Sequence, residues 1–205
     1  MNLANALAIR MIYEKFDKAT LPNTNIQYVI NVSLRETPEY KSYINFGNYD
    51  TIGCYIGLAL SAFRDNLSFS DPNWQSGFWN AAKLENDDFH HRLERGDFIH
   101  PVTLPPKRKE ADEFFYHFGN SNLGVMEGSI TEKKLIKIRK AFATGKYSRD
   151  NFLCWYSNLI ATVDGEMCWT ISYNTFFIRQ ELIDALIENV AKIFWQLAQI
   201  RIGTN

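Results

Sequence analysis

An excess of charge of either sign, cysteine in quantity and long apolar runs are all missing from this sequence. Twenty-two Lys and Arg stand against twenty-three Asp and Glu, a formal net charge of −1 over 205 residues. That balance removes the strongly basic footprint of a general nucleic-acid binder, so no nucleic-acid partner is expected. The longest uncharged apolar-rich run near the middle, Thr51 to Phe63, contains two glycines. It falls well short of the roughly 20 apolar residues that span a bilayer, and no membrane span is expected. Met1 is followed by Asn-Leu-Ala-Asn with no basic stretch, which offers no secretory signal. The three cysteines, Cys54, Cys154 and Cys168, are odd in number and lack metal-ligand spacing. Reduced thiols and a cytoplasmic location follow as expectations.

What is present is ordinary globular composition. Apolar residues make up 46% of the chain and charged residues 22%, which excludes a disordered polymer. No internal repeat, low-complexity tract or linker interrupts residues 1–205, and a single domain is expected.

Periodicity predicts the elements. Leu3, Leu7, Met11, Ile12 and Phe16 recur at helical spacing, with Arg10, Glu14 and Lys18 off that stripe. Ile26 to Leu34 is a β-branched run of strand length, and the uncharged run to Phe63 suits a buried strand. Asp71-Pro72 reads as a helix start, Trp74, Phe78, Ala82, Phe89 and Leu93 as its stripe, and Gly96 as its stop. Phe114 to Gly124 reads as strand then turn, and Lys134 to Phe142 as a strand. Asp164-Gly165 between two strand-like runs, Phe152 to Val163 and Glu166 to Tyr173, is a strong hairpin signal. A closing helix carries Ile178, Leu182, Leu186, Val190, Phe194 and Leu197. The order implies an α/β fold, a mixed sheet with flanking helices.

Few residues advertise chemistry. His90-His91 opens the string HHRLERG, one residue away from the His-His-x-x-x-Asp-Gly signature of coenzyme-A-dependent acyltransferases, but Arg95 occupies the aspartate position. The pair also falls inside a predicted helix, where neighbours point about 100° apart and cannot converge on one proton. His100 and His117 have no second ligand at metal spacing, so no metal site is expected. The cysteines lie in apolar runs and read as small buried hydrophobes. Gly119 to Gly124 holds two glycines, which makes a turn or an amide-lined loop rather than a phosphate loop. The basic cluster Lys133, Lys134, Lys137, Arg139 and Lys140 reads as a solvated face, or as a contact for the nucleotide of coenzyme A.

Five segments together resemble the C-terminal lobe of the acyltransferase superfamily that contains condensation domains, alcohol acetyltransferases and polyketide-associated acyltransferases. They are the opening helix NLANALAIRMIYEKF, Val32-Ser33-Leu34-Arg35, Phe46-Gly47-Asn48, Ser121-Asn122-Leu123-Gly124 and Ile171-Ser172-Tyr173-Asn174. The resemblance implies one lobe of a chloramphenicol-acetyltransferase-like fold. It places Arg35, Gly47, Asn48, Ser121, Asn122 and Gly124 at a substrate tunnel or lobe interface, with Arg35 paired to an aspartate of the other lobe. It implies acyl-CoA or an acyl-carrier thioester as donor, with no tightly bound cofactor. The family's base motif belongs to a first lobe, so no catalytic residue is expected here. A complementary N-terminal lobe, or self-association through an apolar face, would then complete the site. A binding or scaffold module of the same fold, and a single-lobe enzyme working at an oligomer interface, are the alternatives.

Overall fold

The computed structural model describes residues 1–16, 25–33, 56–63, 67–97, 116–126, 138–143, 154–176 and 178–202. In chain order the elements are α1 (Asn2–Phe16), β1 (Ile26–Ser33), β2 (Ile56–Phe63), α2 (Trp74–Glu94), β3 (Tyr116–Met126), β4 (Cys154–Val163), β5 (Glu166–Tyr173) and α3 (Gln180–Ile202). They form two compact units, each discontinuous in sequence. One comprises Met1–Ile26, Ala62–Arg92 and Thr175–Asn205, and the other Gln27–Ser61 and Leu93–Asn174.

The first unit is helical. Leu3, Ala4, Asn5, Ala6, Leu7, Ala8 and Ile9 of α1 are all buried, so its first two turns are enclosed on every side. The expected stripe describes only part of this. Three small alanines let neighbouring elements approach the helix where a polar face was expected. Asn5, buried with them, donates its amide to the Met1 carbonyl at 3.0 Å. Arg10 does not face open water either. Its Nη1 donates to the Leu67 carbonyl at 3.1 Å and its guanidinium lies 4.6 Å from the centre of the Phe63 ring.

α1 packs on α3. The buried stripe of α3 is Ile183, Leu186, Val190, Ile193 and Leu197. Ile183 and Ile193 take the places expected for Leu182 and Phe194, which are half-buried. The reason is angular: steps of three and four alternate to hold one face, whereas repeated steps of four drift around the helix. Asp71 caps a turn, accepting the Asn73 N–H on Oδ1 at 2.8 Å, and the α2 helix begins at Trp74 instead of Pro72. Trp74, Phe78 and Ala81 are its buried residues. Gly96 ends it as expected, in the left-handed region at φ 72° with its N–H on the Leu93 carbonyl.

The second unit is built on the sheet, in the order β2-β1-β3-β4-β5. β1 with β3 and β3 with β4 run parallel; β4 with β5 runs antiparallel. The sheet is therefore mixed, and the α/β class holds. Laterally paired residues share a face, and Tyr28, Phe118 and Tyr156 make one row. Their rings stack at centroid separations of 4.9 Å and 5.6 Å. Cys154 and Cys168 are buried free thiols, and burial pushes the Cys154 thiol up.

Two expectations for this unit change. Residues 138–142, within the strand expected over Lys134 to Phe142, form neither strand nor helix, and the rest of that segment lies outside the described residues. Arg139, Lys140 and Phe142 are exposed, so the alternation buries no face that would reward pairing. The turn expected before Gly124 is instead the interior of β3, whose strand continues to Met126 through a register shift between Asn122 and Val125.

The hairpin forms as read. Asp164 (φ 47°) and Gly165 (φ 82°) both adopt positive φ, the requirement of a two-residue type I′ connection. The Asp164 N–H reaches back to the Met126 carbonyl at 3.3 Å, tying the turn to β3. Gly165→Ala puts a side chain into the left-handed region and is expected to destabilise by about 1–2 kcal/mol. Urea unfolding reads this as a lower midpoint with an unchanged slope.

Candidate functional site

The resemblance points to the C-terminal end of β3, and there the structure is specific. Parallel strands end together at one edge of a sheet, which is where open α/β sheets commonly hold ligands. Asn122 is exposed, and its Oδ1 accepts the Gly124 N–H at 2.9 Å. Gly124 sits at φ 84° with nothing within 4 Å of where a Cβ would project. Its glycine serves the backbone bend, not a close approach. Ser121 pairs with Leu159 and Asn122 with Ile160, so these neighbours project from opposite faces. The structure thus separates Ser121 from Asn122 instead of converging them. Arg35, Gly47 and Asn48 lie outside the described residues.

Inward from Asn122 on the same face lies a polar pair that the sequence reading missed. Asn120 and Asn158 are in register, 5% and 0% exposed. The Trp169 indole donates to Asn158 Oδ1 at 2.8 Å across the β4–β5 pair. On the other face, Ser157 is buried beside Gly119, with Cys154 Sγ 3.5 Å from Ser157 Oγ. A signal for the asparagines was available: the residue disfavours strand interiors, so two of them in the sheet's centre need a reason.

The described histidines divide cleanly, and His100 lies outside the described residues. His90 and His91 are exposed on α2, and Arg95, in the motif's aspartate position, pairs with Asp97 at 2.7 Å. Replacing both histidines by Gln is expected to move stability by no more than about 0.5 kcal/mol, as at ordinary surface sites, with thermal melts as the check. His117 is different. Its Nδ1 accepts the Gln27 N–H at 3.1 Å, extending the β1–β3 ladder, and its ring meets Trp155 edge-on at 4.8 Å. Burial holds the imidazole below its ordinary value. The folded chain therefore binds this proton less readily than the unfolded one. The corresponding stability is complete above about pH 6.5 and is lost as the pH falls below it. His117→Asn, which offers an acceptor near the Nδ1 position without titrating, is expected to flatten that part of a stability–pH profile.

No protein-family model matches the chain, and no curated protein matches it by sequence. Solved structures do. The chain is similar to the epimerization domain from the third module of tyrocidine synthetase B, at 14% identity and a TM-score of 0.56, covering 97% of this chain and 42% of that one. It is similar to a structure of condensation domain-mediated chain release from the enacyloxin polyketide synthase, at 9% identity and 0.56, covering 96% and 35%. It is also similar to the condensation domain from the Monacolin K polyketide synthase, at 11% identity and 0.53, covering 98% and 41%. The likeness establishes the fold as condensation-domain type. The chain spans less than half the length of each of these structures.

Proposed function

From that fold we propose that this chain supplies one side of an acyl-transfer site, moving an acyl group from a thioester to an alcohol or amine. The supporting observation is the unequal coverage: nearly all of this chain corresponds to 42%, 35% and 41% of three condensation-type structures. The remaining wall and the general base come, in this reading, from a complementary lobe bearing His-His-x-x-x-Asp-Gly. That lobe belongs either to a second chain or to further residues of a longer one. Proton transfer needs a base within about 3 Å of the acceptor hydroxyl. His90 and His91 are exposed on a helix, and His117 has Nδ1 engaged by Gln27.

Coenzyme A or a carrier pantetheine is then a substrate carrier, not a resident cofactor. Arg35, at the end of the first strand run, is the proposed partner for the aspartate of the complementary lobe, while Gly47, Asn48, Ser121, Asn122 and Gly124 belong to the tunnel or interface. Among the described residues no helix is long and apolar enough to cross a membrane.

Thiol release from an acyl-CoA, with an amine or alcohol acceptor present, is the direct test. The chain alone should give background rates, and addition of the complementary lobe should give turnover. Turnover by the chain alone overturns the reading, and a tight complex without turnover replaces it with a non-catalytic binding or scaffold module. Arg35→Met should leave the melting temperature unchanged and weaken lobe association by roughly 30- to 4000-fold, the cost of removing one partner of a close interfacial charge pair. Unchanged affinity removes Arg35 from the interface.

A further inference from the structure

Asn158 is fully buried and still has hydrogen-bonding capacity pointing in a fixed direction. The Trp169 indole N–H occupies its Oδ1, which settles the amide orientation, because the reversed amide would set donor against donor. Nδ2 therefore faces away from Trp169, and it is buried without a partner. Buried donors left unspent are rare in folded proteins, since losing water is then uncompensated.

The surroundings define what such a donor accepts. In its row of the sheet Asn158 stands between Asn120 and Ile171, with Ile30 beyond Asn120, and Ile160 and Trp169 occupy the next row. Among the described residues of the five strands the one carboxylate or permanent cation is Glu166, at the hairpin turn. An anion at Nδ2 would lose its hydration with no cation in the strands to replace it. A neutral oxygen flanked by an apolar chain meets both conditions. Burial on this face ends close by: Asn122, one pair further along β3, is exposed.

The geometry points to Asn158 as the hydrogen-bond donor for the carbonyl oxygen of a neutral acyl group, thioester or amide, seated on this face over the middle of β3 and β4. Trp169 is its positioning residue, holding the amide with Nδ2 turned away from the indole. The choice of an acyl group as occupant rests on the acyl-transfer reading; the donor and its direction do not.

Two probes separate the carbonyl from the rest of the ligand: S-methyl thiooctanoate and methyl octyl sulfide, a thioether in which a methylene replaces the thioester carbonyl. With nitrogen-15-labelled protein, the thioester should move the Asn158 side-chain amide protons downfield, and the thioether should leave them in place. The resonance is assigned by its loss in the Asn158→Leu/Trp169→Phe double variant, which replaces both partners of the buried bond with apolar groups and so avoids stranding either one. That variant should bind the thioester about 2- to 10-fold more weakly and the thioether equally well, the scale of one neutral hydrogen bond. Trp169→Phe alone should weaken the thioester and spare the thioether, because the amide loses its orientation. If the Asn158 amide ignores both probes, or exchanges magnetisation only with an immobile water, the donor is spent on solvent and the proposal is overturned. Turnover with a complementary lobe but no Asn158 response rejects this inference and keeps the acyl-transfer reading; an Asn158 response without turnover does the reverse.

Discussion

The central strand β3 bonds on both sides to parallel strands remote from it in sequence. Parallel neighbours cannot be joined by a tight turn, so each pairing commits the chain to a crossover of a dozen residues or more. β1 reaches β3 only after β2 and α2, and β3 reaches β4 over the segment between Met126 and Cys154. The aromatic row makes the register costly to lose. A slip of one residue would send Tyr28, Phe118 and Tyr156 to the opposite face and break their ring stack. That same register sets Asn120 beside Asn158 and brings Trp169 within reach of Asn158.

Local signals were legible where the physics is local. Asp164-Gly165 needs positive φ at two adjacent residues, and only a few residue types supply it, so the hairpin could be read directly. Gly96 ended α2 for a similar reason. The α/β order and the condensation-type fold were legible too, the latter through short segments whose order mattered more than any one of them. What stayed hidden depends on tertiary placement. Nothing in the spacing of Leu3 and Leu7 says that Ala4, Ala6 and Ala8 are enclosed as well, because alanine is compatible with either face. Arg10 looked like a solvent residue until Phe63 and Leu67 stood beside it.

The candidate site was half legible. Ser121-Asn122-Leu123-Gly124 stood out within β3, yet the bulge that lets Gly124 take φ 84° could not be told from a turn. Asn158 was invisible because its meaning comes from Trp169 on the partner strand, eleven residues away through a hairpin. His117 was read as isolated, and so it is in sequence; its partner is the backbone of Gln27 on a neighbouring strand.

The near absence of charge in the five strands also bears on how the chain survives before it is folded. Glu166 is the lone formal charge they contain, so β1 to β4 carry none of the Lys or Glu residues that commonly keep strands from pairing with the wrong neighbour. Parallel pairing across long crossovers is slow in general, and slow pairing leaves such uncharged strands exposed for longer before the sheet closes. Protection in that interval falls to the charged helices and connections between them: α2 alone carries Lys83, Glu85, Asp87, Asp88, Arg92 and Glu94. Charge that could deter mispairing thus sits on elements other than those that most need it.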